Sequence, residues 1–119
     1  MLLSKEEAIK RKYKKYKSPE FMNASELYQK CFWYKGLDGV NRKNYYVNHY
    51  YYAPENGLTE SWESELDFVK LDESGKSHTF RVKLLNSTDI DFAEQAFSDI
   101  FIKMGAIPKE EDDSVVGEA

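Results

Sequence analysis

The residues that could support metal binding or nucleophilic catalysis are few and scattered. The sequence has two histidines, His49 and His78, and one cysteine, Cys31. No two of them have the short spacing of a metal-ligand motif, and a single cysteine cannot form an intramolecular disulfide. We expect Cys31 to be a small buried hydrophobe and His78 to be a core or rim residue. The sequence therefore predicts no metal site, no cofactor and no catalytic residue.

Three carboxylates alternate along one predicted strand, at Glu63, Glu65 and Asp67. Such a row could serve a magnesium-dependent nuclease, but the expected acid is missing from the neighbouring run Arg81-Val82-Lys83. A solvated strand face, with the acids opposite Arg81 and Lys83 across a hairpin, is the favoured interpretation. A nucleophile elbow and a phosphate-binding glycine loop are also absent. We therefore expect a protein that is not an enzyme.

One segment alternates basic and aromatic residues over positions 10–17. It consists of Lys10, Arg11, Lys12, Tyr13, Lys14, Lys15, Tyr16 and Lys17. Lys and Arg neutralise phosphates and Tyr can stack on a base, so this segment is a candidate site for single-stranded DNA or RNA. In the alternative interpretation Tyr13 and Tyr16 face the core, while the basic residues cover an exposed helix face or dock on the acidic body of the protein.

The second unusual feature is an excess of aromatic residues, which make up 15% of the chain. A small sheet covered on one face cannot bury rings on both faces, and exposed Tyr and Trp are common anchors of protein interfaces. The candidate partner-binding residues are Trp33, Tyr34, Tyr46, Tyr50 and Tyr52. The alternative is that the first helix covers one face and the other helices cover the second face.

Two helices are predicted before the first strand. Ser4 has the position of an N-cap, with Glu7 as its capping-box partner, and predicts helix A over about 5–17. Apolar residues at helical spacing from Phe21 to Phe32 predict helix B over about 20–35. Pro19 suits the beginning of that helix.

Strand patterns dominate the middle of the chain. Residues 45–53 are rich in β-branched and aromatic side chains, which favours a strand. A second strand is predicted over 62–71, where Trp62, Leu66 and Phe68 share one parity and Val69 and Leu71 the other, so that either a bulge lies near 68–69 or both faces are partly covered. A hairpin loop at 72–76, with Gly75 at a positive-φ position, leads to an alternating strand over 78–84. Thr88 is the expected N-cap of helix C, which ends near Gly105. The order α-α-β-β-β-α predicts an α+β fold in which a three-stranded antiparallel meander packs against two or three helices.

Length and composition agree with one domain. The chain has 119 residues, 41% hydrophobic and 32% charged, and we expect a single domain over 1–108 followed by a disordered acidic tail over 109–119. Residues 1–17 hold seven basic and two acidic residues, whereas 109–119 hold one basic and five acidic residues. No apolar run has the length of a membrane span or a secretory leader.

These features together predict a function without catalysis. The single cysteine favours a reducing, cytoplasmic location. In composition the chain is similar to small accessory proteins of phages and mobile elements. We expect an interaction protein that binds an unidentified protein partner, or a second copy of itself as a homo-oligomer, through exposed aromatic residues. The alternative is a nucleic-acid-binding module that uses residues 10–17.

Overall fold

The computed structural model describes residues 1–35, 42–55 and 59–105. Five antiparallel strands form one sheet in chain order. They are β1 (Lys14–Lys17), β2 (Glu26–Lys35), β3 (Arg42–Tyr52), β4 (Ser61–Leu71) and β5 (Ser77–Leu84). Helix α1 (Lys5–Lys10) precedes the sheet, a 3-10 turn (Glu20–Met22) joins β1 to β2, and helix α2 (Ile90–Gly105) follows the last strand. The predicted acidic tail over 109–119 lies outside the described residues.

The predicted three-stranded meander is wrong, chiefly because residues 26–35 form a strand instead of a helix. β2 pairs with β3 over ten residues, from Glu26 opposite Tyr51 to Lys35 opposite Arg42. Apolar residues four apart, such as Tyr28 and Phe32, share a face in a strand as well as in a helix, because four is an even number. The dense aromatic content of this segment favours the extended chain.

The predicted helix A is also too long. Ser4 does cap a helix, since its side chain accepts a hydrogen bond from the Glu7 N–H at 3.1 Å. The helix ends at Lys10, and Lys12 takes a left-handed backbone conformation with φ of 75°. This reversal turns the chain so that Lys14–Lys17 pairs with β2 as an edge strand. Residues 5–17 therefore form a short helix, a turn and a short edge strand.

The elements after residue 42 lie close to their predicted positions. The predicted strands at 45–53 and 78–84 correspond to β3 and β5, and Gly75 has a positive φ of 87° in the loop between β4 and β5. The N-cap of the last helix is Asp89 rather than Thr88, because the Asp89 carboxylate accepts a hydrogen bond from the Phe92 N–H at 3.0 Å. A carboxylate at that place also complements the helix dipole.

Both helices pack on the same face of the sheet, here called the inner face. Its strand residues include Tyr28, Tyr45, Val47, Leu66 and Phe68, and α2 adds Ile90, Ala93, Phe97 and Phe101 to the same buried cluster. The Phe101 ring lies 4.4 Å from the Tyr45 ring and 5.3 Å from the Phe68 ring, between centroids. Aromatic pairs at such distances contribute beyond the area that they bury.

The alternate strand residues point to the opposite side, here called the outer face. They are Tyr16 on β1; Leu27, Gln29, Cys31 and Trp33 on β2; Tyr46, Asn48, Tyr50 and Tyr52 on β3; Glu63, Glu65, Asp67, Val69 and Leu71 on β4; and Thr79, Arg81 and Lys83 on β5. Neither α1 nor α2 covers this face. The idea that different helices cover the two faces of the sheet is therefore wrong.

A polar pair lies inside the core, between β3 and β4. His49 and Ser64 are both fully buried, and His49 Nδ1 hydrogen-bonds to Ser64 Oγ at 2.6 Å. His49 Nε2 has no hydrogen-bond partner among the residues described, and the Tyr13 ring lies 4.8 Å away. Burial, helped by the charge of Arg11, lowers the pKa of His49 to about 3. The imidazole is therefore neutral in the folded protein.

This pair predicts a loss of stability in mild acid. Unfolded His49 takes up a proton below about pH 6.5, whereas folded His49 does not, so stability falls as the pH drops through that value. The loss reaches about 2 kcal/mol by pH 5. In the variant His49→Phe/Ser64→Ala this contribution is absent. Urea unfolding of both proteins at pH 7 and pH 5 measures it.

The unmodified protein must be compared with the variant because the titration of Asp67 changes the stability with pH in the opposite direction. Its pKa is raised to about 6 in the folded protein, so its contribution to stability decreases as the pH rises through the range from about 4 to 6. The two proteins share Asp67, and the difference between them isolates His49. An equal dependence of stability on pH in both would show that His49 does not titrate on unfolding.

Candidate functional site

Four exposed apolar side chains lie on the outer face toward the same end of the sheet, here called the apolar end. They are Trp33, Tyr46, Val69 and Leu71, which are 50%, 41%, 60% and 63% exposed. Tyr46 lies opposite Cys31 on β2, and Trp33 is two residues further along that strand. On its other side Tyr46 lies opposite Asp67, with Val69 and Leu71 beyond it on β4.

A hydrogen-bonded network occupies the middle of the outer face, here called the polar centre. It consists of Gln29, Asn48, Tyr50, Glu65 and Asp67. Gln29 Nε2 donates to Asn48 Oδ1 at 2.8 Å. The Asn48 amide in turn donates to Asp67 Oδ2 at 2.9 Å and to Glu65 Oε2 at 3.3 Å. Tyr50 donates to the same Glu65 oxygen at 3.4 Å.

The burial of this network is unexpected on a face that carries no helix. Asn48 is 2% exposed, and Tyr50 and Glu65 are each 5% exposed. The sequence predicts a solvated row of carboxylates, and for Glu65 that prediction is wrong. The members of the network come from β2, β3 and β4, and most of their hydrogen bonds run between adjacent strands, which a one-dimensional pattern does not show.

In the polar centre, Glu65 affects the titration of Asp67. Burial is the largest cause that raises the pKa of Asp67 to about 6, followed by the negative charge of the neighbouring Glu65. Arg81 and Asn48 oppose this shift, but Arg81 Nε lies 3.6 Å from Asp67 Oδ1, which is longer than a hydrogen bond. Asp67 Oδ1 is buried and accepts no hydrogen bond from the described residues.

The predicted partner-binding residues differ in the structure, both in the face on which they lie and in their burial. Trp33 and Tyr46 are exposed on the outer face, while Tyr50 is buried there. Tyr52 is half-buried, and its hydroxyl donates to the Met22 carbonyl at 3.3 Å. Tyr34 lies on the inner face, where its ring stacks near Tyr45 and Phe101 and its hydroxyl hydrogen-bonds to Ser98. The structure therefore places four of the five residues on the outer face, but only Trp33 and Tyr46 are exposed at its apolar end.

Part of the basic segment is used to hold the fold together. Arg11 pairs with Glu7 at 2.7 Å on its own helix, and with Asp91 at 2.7 Å and Glu94 at 3.1 Å on α2. The Arg11 guanidinium is the main reason that the pKa of Asp91 is lowered to about 2. Tyr13 is buried, and its hydroxyl donates to Glu94 at 2.6 Å. These contacts match the interpretation in which the segment docks on the acidic body.

The rest of the segment runs from the last residue of α1 through a turn to the edge strand β1. Lys15 pairs with Glu26 at 3.1 Å. The other members, here called the basic edge, are exposed: Lys10, Lys12, Lys14, Tyr16 and Lys17. The structure shows no ion pair between these lysines and any described acidic residue. Lysines on an edge strand also discourage pairing with another sheet.

The remaining residues considered for chemistry are Cys31 and His78. Cys31 is exposed on the outer face, so the prediction that it is buried is wrong. His78 is exposed as well and pairs with Asp72 at 2.8 Å in the β4–β5 loop. In the described part of the chain, no group of three or more His, Cys, Asp or Glu residues is arranged to hold a metal ion.

Sequence reasoning missed Gln29, Asn48, Val69 and Leu71 as members of this surface, and it predicted that Glu65 is solvated. Val69 and Leu71 fall on the opposite parity to Trp62, Leu66 and Phe68, and this break in the alternation was the available signal. The burial of Asn48 and Glu65 had no signal in the sequence, because it depends on strand register.

Comparison with known protein families, with curated proteins and with solved structures finds no match. Neither helix is long and apolar enough to cross a membrane over the residues that the structure describes. A functional conclusion for this chain therefore depends on the geometry of the outer face.

We expect Glu65 to influence the titration of Asp67. The substitution Glu65→Gln removes a neighbouring negative charge, so the pKa of Asp67 falls below about 6 toward its ordinary range. The carboxyl carbon signal of Asp67, followed by NMR against pH, measures this change. Glu63→Gln is the matched control, because Glu63 is not among the groups that shift Asp67. An Asp67 pKa that stays near 6 in Glu65→Gln would show that burial alone sets it.

Proposed function

We propose that this chain is a non-enzymatic binding protein that holds a protein partner against the outer face of its sheet, with the apolar end as the anchor. The observation that carries this proposal is the exposure of Trp33, Tyr46, Val69 and Leu71 on one side of one sheet end. Patches of exposed, large apolar side chains mark protein interaction surfaces. Trp and Tyr are also the residues that most often dominate binding energy.

The rest of the fold favours contact through this face rather than through a sheet edge. β1 presents Lys14 and Lys17 at one edge, and β5 presents Arg81 and Lys83 at the other. Two positively charged edges repel each other and the edges of similar sheets. The outer face, in contrast, offers apolar side chains next to hydrogen-bonding groups, which is the usual composition of an interface core and its rim.

We also propose a cytoplasmic location and an accessory role of the kind found in phages and mobile elements. The exposed, unpaired Cys31 lies next to the apolar end on the outer face. A free thiol at a binding surface is best preserved in a reducing compartment.

Photo-crosslinking in the cells of origin tests the proposed surface. With benzoyl-phenylalanine in place of Tyr46, we expect one discrete adduct, identified by mass spectrometry. The added substitutions Trp33→Ser and Leu71→Ser should reduce its yield at least about tenfold, since anchor residues contribute about 2 kcal/mol or more. An adduct between two copies of the chain would identify the partner as a second copy.

The matched control carries the same photoreactive residue in place of Phe92, which is 62% exposed on α2. It reports chance encounters at an exposed aromatic position away from the outer face. Equal adducts from positions 46 and 92, or none from position 46, would contradict the proposal.

A second candidate function is nucleic-acid binding through the basic edge. The observation that favours it is that Lys10, Lys12, Lys14 and Lys17 are exposed beside Tyr16, which is itself 46% exposed. Exposed ammonium groups can neutralise phosphates, and an exposed phenol ring can stack on a base. Arg11, Tyr13 and Lys15 are engaged within the protein and do not contribute to this surface.

Binding to a fluorescent single-stranded 20-nucleotide DNA, measured at several salt concentrations, tests this second function. The substitutions Lys12→Gln, Lys14→Gln and Lys17→Gln together should reduce the slope of log K against log salt by about 2, since each phosphate contact contributes about 0.7. The control variant carries Lys76→Gln, Lys83→Gln and Lys103→Gln and loses the same charge elsewhere. An equal reduction of the salt slope in both variants, or no DNA binding by the unmodified protein, would exclude the basic edge as a nucleic-acid-binding site.

A further inference from the structure

The polar centre contains a buried carboxyl group, that of Glu65, which forms no ion pair with any described cation. Glu65 is 5% exposed, and its carboxylate is held by the Asn48 amide and the Tyr50 hydroxyl, which are both neutral donors. Lys83 lies directly opposite Glu65 in the strand register, yet the structure shows no ion pair between them. A buried carboxylate without a cation is unfavourable, so this site attracts positive charge.

Asp67 adds a second feature that a cation would satisfy. Its Oδ2 accepts a hydrogen bond from Asn48, but its buried Oδ1 accepts none from the described residues. Arg81 lies 3.6 Å from that oxygen on a side chain that is 63% exposed, so this contact is loose and solvated. The Asp67 side chain is itself 25% exposed, which makes it the accessible member of the carboxyl pair.

The apolar end begins directly beside this carboxyl pair. Tyr46 lies opposite Asp67 on the same face, and side chains in such a pair have Cβ atoms about 5 Å apart. The Tyr46 ring can therefore contact the stem or the head group of a ligand that reaches Asp67. Aromatic rings attract cations, and the stems of Lys and Arg are apolar.

We propose that the protein partner presents a lysine or arginine side chain whose cationic head group binds Asp67, with Glu65 behind it and Tyr46 beside it. This inference rests on the proposed function, because it specifies the chemistry of the partner on the same face. Charge complementarity selects this occupant. A metal ion is a poorer fit, since the described part of the face offers no group of three or more ligands.

Two short peptides separate the contribution of the charge of such a side chain to binding from the contribution of its shape. The probes are Ac-Ser-Leu-Arg-Leu-Ser-NH2 and the same peptide with citrulline, which is neutral and of nearly the same shape as arginine. Their dissociation constants are measured by NMR titration of the isotope-labelled full chain at pH 7.5. We expect the arginine peptide to shift the amide signals of Tyr46 and Asp67 and to bind at least about fivefold more tightly than the citrulline peptide.

Three variants assign the effect to the carboxyl pair. Asp67→Asn should reduce the affinity for the arginine peptide to that for the citrulline peptide. Asp99→Asn removes the same charge from an exposed position on α2 and should change nothing. Arg81→Gln should raise the affinity, because it frees Asp67 from its loose partner. A rise in affinity is not expected from a variant that only damages the fold.

The outcomes separate this inference from the proposed function. If both peptides bind equally at the apolar end, the cationic partner is excluded and the proposed binding face is retained. If neither peptide binds, the inference is overturned, and crosslinking from position 46 still decides the proposed function. An affinity for the arginine peptide that Asp67→Asn leaves unchanged would also overturn it.

Discussion

The pairing of β2 with β3 along ten residues is the constraint on which the rest of this structure depends. It gives the two strands one shared alternation, so that Tyr28 and Phe32 face the helices while Trp33 faces away from them. β1 is attached to the other edge of β2, and β4 extends the sheet from β3. If residues 26–35 were helical, the sheet would lose two strands and the outer face would lose Gln29, Cys31 and Trp33.

Ion pairs explain how a short helix and a short edge strand remain attached to this sheet. Arg11 connects α1 to α2 through Asp91 and Glu94, and Glu26 pairs with both Lys5 and Lys15. Lys30 adds a hydrogen bond from its ammonium group to the Arg11 carbonyl at 2.8 Å. Exposed pairs contribute little individually, but networks that include half-buried arginine contribute more. Much of the basic character near the amino terminus therefore serves the fold, and only the basic edge is left for another ligand.

The two faces of the sheet use aromatic residues in different ways. On the inner face, rings such as Tyr45 and Phe68 are buried against Phe101. On the outer face, Tyr50 is buried, whereas Trp33 and Tyr46 remain exposed and Tyr46 lies opposite Asp67 of the carboxyl pair. The outer face thus combines apolar anchors with a charged, partly desolvated centre, where an interaction between opposite charges is stronger than in water.

Local sequence determined the elements whose patterns have one interpretation. The alternation of 78–84, the turn at Gly75, the apolar spacing of α2 and the cap at Ser4 all follow from short-range sterics and hydrogen bonding. Residues 26–35 remained ambiguous, because a spacing of four residues places side chains on one face in a helix and in a strand. Only the tertiary structure decided that segment, the contacts of Arg11 with residues 80 or more positions away, and the burial of Glu65. The strand at 26–35 and the burial of Glu65 depend on which strand lies beside which and in what register, and register is a property of the assembled sheet. The Arg11 contacts depend on the packing of both helices on the same face of that sheet.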